Sequence, residues 1–170
     1  MTNQPIYFNE SGMRFGPYHK DQVFDIEHSR LYASISHADV KTVEFVFLRN
    51  DSSLTFEVVE AKSSAPKETD EFTREIREKF VNTITLCWAT VLKRHPRFHE
   101  ELPLRIREMN LPQVRVRLIL VIKNHQWDWL PPVQDALRKA MRSTMKTWGF
   151  LHDDVLVFNE EMARQKQYIV

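Results

Sequence analysis

Apolar and polar residues alternate across two neighbouring stretches, residues 41–50 (KTVEFVFLRN) and 54–62 (LTFEVVEAK). Both are rich in β-branched and aromatic side chains, and the turn cluster NDSS stands between them, so they predict a β-hairpin. Pro66 ends the second strand, since it has no N–H for a central ladder. The period then changes. Phe72, Ile76, Phe80, Ile84, Cys87 and Val91 recur at threes and fours, which predicts a helix over residues 69–94. Thr69 is placed to cap it, Asp70 and Glu71 suit its first turn, and Pro96 closes it. Residues 113–124 begin by alternating and become solidly apolar over 118–122, the pattern of a strand covered on both faces. Val133, Leu137, Met141, Met145 and Trp148 mark a second helix, with Pro131 and Pro132 in its first turn and Gly149 at its end. A final buried strand falls at 153–159. Its parallel pairing with the strand at 113–124 requires a right-handed crossover.

The elements therefore read hairpin, helix, strand, helix, strand: an α+β (α/β) mixed sheet in a single domain over residues 1–170. Residues 1–20 have no period and are expected as an irregular arm. Residues 21–35 are ambiguous, with VFDIE readable as a short strand and a helical face only from Leu31. The tail after Asn159 is undecided.

Composition removes several function classes. Three glycines in 170 residues leave no Gly-rich dinucleotide or P-loop cradle. A net charge of +1 supplies no global field for nucleic acid or membrane, so such a contact needs a local patch. One cysteine, Cys87, permits neither an internal disulfide nor a Cys-rich zinc site, and its helical setting reads as a buried thiol. The first residues show no basic-then-apolar leader, and no apolar run spans a membrane, so a soluble cytoplasmic protein is expected.

The chemistry lies in the hairpin. Glu60 and Lys62 share the strand face of Leu54, Phe56 and Val58, so a carboxylate and an ammonium fall on the side being buried. Two turn lengths are open. A four-residue loop pairs Glu44 with Val59 and points it away from Glu60. A three-residue loop, 51–53, sets Leu48 against Phe56, Val46 against Val58 and Glu44 against Glu60. Two facing carboxylates repel unless a cation lies between them, and carboxylate oxygens with waters and phosphate oxygens form the shell Mg²⁺ prefers.

An acid on one strand, a turn, and then E-A-K closing an apolar strand (VVEAKSS) resembles the PD-(D/E)xK nuclease superfamily. The order hairpin, helix, strand, helix, strand is similar to its restriction-endonuclease-like core, over roughly residues 40–160. The resemblance implies Mg²⁺ (or Mn²⁺) held by Glu44, Glu60 and the backbone carbonyl of Ala61, with Glu60 and Lys62 catalytic and Lys62 assisting the attacking water. It implies hydrolysis of nucleic-acid phosphodiesters, DNA or RNA undecided. Glu44 stands where the superfamily usually has Asp, and no Pro-Asp precedes the strand. Asp39 competes with Glu44 if the strand starts earlier, and Glu27 is the nominee for a further carboxylate from a preceding element. Glu71, Glu75 and Glu78 read as the wet face of the first helix.

Other readings stay beside this one. E-x-K is short, and Glu60 with Lys62 can be a solvated salt bridge at a strand end, in an inactive nuclease-fold module binding nucleic acid or protein. His95 and His99 stand at i, i+4, but Pro96 separates them. His125 ends a central strand, where open sheets carry functional groups, yet reads equally as a loop packed by Trp127 and Trp129. Arg115 and Arg117 are candidate phosphate contacts, while Arg138, Arg142 and Lys146 form a stripe best read as a solvated face. A chain this short is expected to act as a homodimer or with a partner subunit.

Overall fold

The computed structural model describes residues 4–170. Its centre is a five-stranded sheet built on the predicted hairpin. Before it come β1 (Ile6–Glu10) and β2 (Met13–Tyr18), then β3 (Val23–Asp25), the short helix α1 (Arg30–Ala33) and a 3₁₀ turn. The hairpin strands are β4 (Phe45–Asn50) and β5 (Leu54–Lys62), followed by α2 (Asp70–Val91). After a 3₁₀ segment and α3 (Leu104–Arg107) come β6 (Arg115–Ile122), α4 (Leu130–Trp148), β7 (Val155–Asn159) and α5 (Glu160–Gln165). The strand order is β3-β4-β5-β6-β7, antiparallel through β5 and parallel from β5 to β7. Thus the α+β reading holds, including the parallel pairing of β6 with β7.

The turn length is decided. Asn50 pairs with Leu54, Leu48 with Phe56 and Val46 with Val58, which is the three-residue loop. The even positions of β5, with Val116, Leu118 and Leu120 of β6, face a core completed by Ile76, Phe80 and Ile84 of α2 and by Leu137 and Met141 of α4. Each helix thus buries most of the stripe that its three-and-four spacing predicts, although Trp148 at the end of α4 is half exposed. Pro131 and Pro132 open α4, and Gly149 closes it at φ 70°, donating its N–H to the Met145 carbonyl. Thr69 precedes α2 as expected, but its hydroxyl caps nothing.

The opposite face carries the main correction. The expected irregular arm forms the antiparallel pair β1–β2, turned by Ser11 and Gly12 at φ 50° and 74°. Its aromatic residues cover the sheet: Phe8 stacks on Phe45 at 4.9 Å between ring centres, and Tyr18 lies 4.6 Å from Phe47. The irregular register between Ile6 and Phe8 and the Gly16-Pro17 step hide the period of two that would have announced these strands. The undecided tail is α5 plus an extended end, where Ile169 bridges Phe15 and the Val170 N–H reaches the Arg14 carbonyl. The first hairpin strand also starts later than the alternation suggests, at Phe45. VFDIE is the short strand β3, and the helical face from Leu31 belongs to α1. No helix among the described residues is long and apolar enough to cross a membrane.

Phe15 is fully buried between the hairpin and the sheet. Phe15→Ala is expected to cost about 3–5 kcal/mol in urea denaturation, the loss of a core aromatic. An arm lying loosely on the surface would lose about 1 kcal/mol or less.

Candidate acidic and lysine site

The site forms where β5 ends. Because β4 pairs with β5 through Phe45 and Val59, continuing the register one step brings Glu44 across from Glu60. Glu27 follows β3, the antiparallel neighbour of β4, and its N–H donates to the Glu44 carbonyl at 3.5 Å. Glu10 comes from the tip of the β1–β2 hairpin. That tip is tied to the same edge of the sheet: the Ser11 hydroxyl donates to the Ala61 carbonyl at 3.0 Å, and Lys123 Nζ to the Gly12 carbonyl at 2.9 Å.

Glu10, Glu27 and Glu44 each bring a carboxylate oxygen within 4.8 Å of the others, and all three are half-buried. Oxygens around Mg²⁺ lie roughly 3.0 Å apart when adjacent and about 4.2 Å when opposite, from metal–oxygen bonds of about 2.1 Å. At least two of the three separations would have to close to about 3.0 Å for the oxygens to share one such shell. Burial pushes the Glu44 carboxyl up to about 9, helped by its hydrogen bond with Glu27 and by the charge of Glu60, with Lys79 pulling it back. Burial raises Glu10 as well, reinforced by Glu27.

Glu60 is fully buried and carries the basic half of the site. Lys79 Nζ of α2 donates to its Oε1 at 2.7 Å, and Lys62 Nζ lies 3.2 Å from the same oxygen. Lys62 is itself held by Glu75 of α2 at 3.2 Å. Burial favours the uncharged form of both partners, raising Glu60 and opposing Lys62, yet Glu60 and Glu75 raise Lys62 on balance. Two ammoniums within 3.2 Å of one oxygen pull Glu60 back down against its burial. The other oxygen, Oε2, is buried with no hydrogen-bond partner among the described residues. It is the one orphaned buried carboxylate oxygen of the site among the described residues, and the neighbouring cluster of Glu10, Glu27 and Glu44 offers oxygens only. Both features fit a hard divalent cation.

Of the residues singled out in the sequence, Glu27, Glu44, Glu60 and Lys62 meet here. Glu75 is part of the site rather than of a wet face, whereas Glu71 and Glu78 are exposed. Asp39 is not part of it: it sits exposed in a 3₁₀ turn at φ 57°, outside the carboxylate cluster. Arg115 and Arg117 occupy the other face of the sheet. Arg115 Nε bonds the buried Asp154 at 2.5 Å, and Arg117 approaches the buried Glu57, which Arg49 also grips. Both therefore serve buried acids on the side away from the carboxylate cluster. His99 contacts the carbonyl of Thr90 in α2, and among the described residues neither it nor His95 belongs to a cluster of three or more possible metal ligands.

Two members of the site were not predicted. Glu10 fell in the aperiodic N-terminal segment, although FNESGMRF does carry a turn between two aromatic runs. Lys79 stands one helical turn after Glu75, a spacing that was available, but only the packing of α2 on β5 aims it at Glu60. Comparison of the chain with protein-family models, curated proteins and solved structures finds no match to any of them.

The raised Glu44 carboxyl has a measurable consequence. A folded state that keeps this proton is favoured below the ordinary value of 4.5, and that advantage is lost as pH rises through about 9. In EDTA, melting temperature is expected to fall more steeply from pH 6 to 9 in the wild type than in Glu44→Gln. At pH 8 the variant should melt about 2–4 °C higher, roughly 1 kcal/mol.

Proposed function

We propose that the chain is a Mg²⁺- or Mn²⁺-dependent nuclease-like protein hydrolysing nucleic-acid phosphodiester bonds at the carboxyl end of β5. The observation that carries this reading is the cluster of Glu10, Glu27 and Glu44 from three segments, with Glu60 and its two lysines beside it and Glu60 Oε2 without a partner among the described residues. A divalent cation would replace the proton that burial holds on Glu44 and complete the cluster. Glu10, Glu27, Glu44 and Glu60 would hold the metal, and its chemistry there is to acidify a coordinated water and offset phosphate charge.

The remaining roles belong to the chain itself. Lys62 is half-buried at the strand end, and Glu75 and Glu60 hold its ammonium in place. From there it can donate hydrogen bonds to a phosphate oxygen or orient the attacking water, a service worth most in a desolvated site. Lys79 opposes from the helix side the burial that raises Glu60. Ser11 binds the hairpin tip to β5 and so sets the reach of Glu10.

A second reading has its own support. Both lysines already neutralise Glu60 Oε1, as in a buried structural salt bridge, which suits an inactive module binding nucleic acid or a protein partner. Metal separates the two. Mn²⁺ or Mg²⁺ near one hundred times its Kd should raise the wild-type Tm by about 5–10 °C, and that of Glu44→Gln hardly at all. On plasmid, single-stranded DNA and RNA, Lys62→Met should cleave about 10²–10³-fold more slowly than the wild type. If wild type and variant are equally inert on every substrate, the enzyme reading fails and the module reading stands.

A further inference from the structure

The parallel strands β5 and β6 end beside the first turns of α2 and α4, and the crevice between them holds a cavity of about 390 Å³. Its walls are mostly apolar: Ala65 and Pro66 on one side, Trp129, Pro132 and Val133 on the other, with His125 contributing one polar edge. Trp129 is 53% exposed, and its neighbour Trp127 is 60% exposed. Neither ring is being spent on the core. The Trp129 indole is nevertheless fixed, because His125 meets it edge-on at 5.8 Å between ring centres while its Nε2 contacts the Trp129 carbonyl at 3.1 Å.

The cavity is not isolated. A second, open depression along the start of α2 shares Pro66, Lys67 and Thr69 with it and ends at Glu75. Glu75 is the residue that holds Lys62. The two depressions therefore adjoin along residues 66–69, with Lys67 between them, exposed and without an ion-pair partner among the described residues.

We propose that this crevice is a base-binding subsite, in which one unpaired nucleobase of a single-stranded nucleic acid stacks on Trp129 while its backbone passes Lys67 toward Lys62. The inference rests on the nuclease-like reading of the acidic site. The size of the cavity suits one nucleotide and excludes a duplex, whose bases are already stacked on each other. Its apolar, aromatic wall suits a neutral ring with a π-face. Glu68, Asp70, Glu71 and Glu75 of the second depression disfavour phosphates beside them, so it is the uncharged base that enters the apolar crevice and Lys67 and Arg74 that meet the backbone. Stacking of this kind is tolerant of sequence, so the subsite selects strandedness rather than a particular base.

The test uses the full chain with a labelled twelve-nucleotide single strand of DNA or RNA, in Ca²⁺ to suppress cleavage, read by fluorescence anisotropy. Trp129→Ala is expected to weaken binding roughly 5- to 150-fold, and Trp129→Phe to restore most of it. A strand that is abasic at every position should bind the wild type more weakly and be indifferent to Trp129→Ala. The matching duplex should bind the wild type less well than either single strand. Equal affinity of wild type and Trp129→Ala for the single strands overturns the inference. In that case a metal-induced rise in wild-type Tm and loss of cleavage in Lys62→Met would leave the nuclease-like reading standing. If neither metal nor nucleic acid binds the wild type, that reading fails and this one with it.

Discussion

The three-residue turn between β4 and β5 is the constraint on which the rest of the molecule depends. It puts Leu48 against Phe56 and Val46 against Val58, and the same register brings Glu44 to Glu60. A slip of one residue would exchange the two faces of the strand and bury its polar positions in place of its apolar ones. The hydrophobic pairs therefore hold two acidic residues at facing positions. The charge of Glu60 is one of the influences that raise the Glu44 carboxyl, after burial and the hydrogen bond with Glu27.

β5 consequently carries a fully buried acid on each face, since Glu57 and Glu60 are three residues apart and point in opposite directions. The two are answered differently. Arg49 Nε reaches both oxygens of Glu57, Arg117 approaches from β6, and the Tyr168 ring lies 4.7 Å from the Arg49 guanidinium. Both oxygens of Glu57 thereby have a partner, while Arg49 Nη2 and Arg117 Nε are left without one among the described residues, and the network serves the packing of the C-terminal tail. Around Glu60 both lysines go to a single oxygen, and three more carboxylates gather nearby. Lysine is a compact point charge and leaves room beside it, whereas the guanidinium fork fills its acceptor. The difference between a structural pair and an open site is thus visible within one strand.

The location follows from the parallel half of the sheet. Strands β5 and β6 end together, and loops, helix starts and the hairpin tip collect at their carboxyl ends. The opposite edge of these strands is spent on holding Asp154 and Glu57, which leaves Arg115 and Arg117 occupied there. Charge of both signs is therefore sorted by the sheet: paired arginines at one end of one face, and acids with lysines at the far end of the other.

Periodicity alone determined the hairpin, both long helices and the two parallel strands, because each must bury a stripe with a spacing set by its own backbone geometry. It also placed Glu60 and Lys62 on the buried face, since alternation along one strand is a local property. The N-terminal strands were not legible, for their pattern is broken by a register irregularity and by Gly16-Pro17, and their stability comes from aromatic contacts with β4. The register of the hairpin was open to two turns of equal local merit, and the packing of Leu48 and Val46 against β5 chose between them. Glu10, Lys79 and Glu75 joined the site only through tertiary structure. They are 50, 19 and 15 residues from Glu60 in sequence, and no local rule carries a side chain across that distance. What brings them together is the burial of a hairpin on one face of the sheet and of a helix on the other.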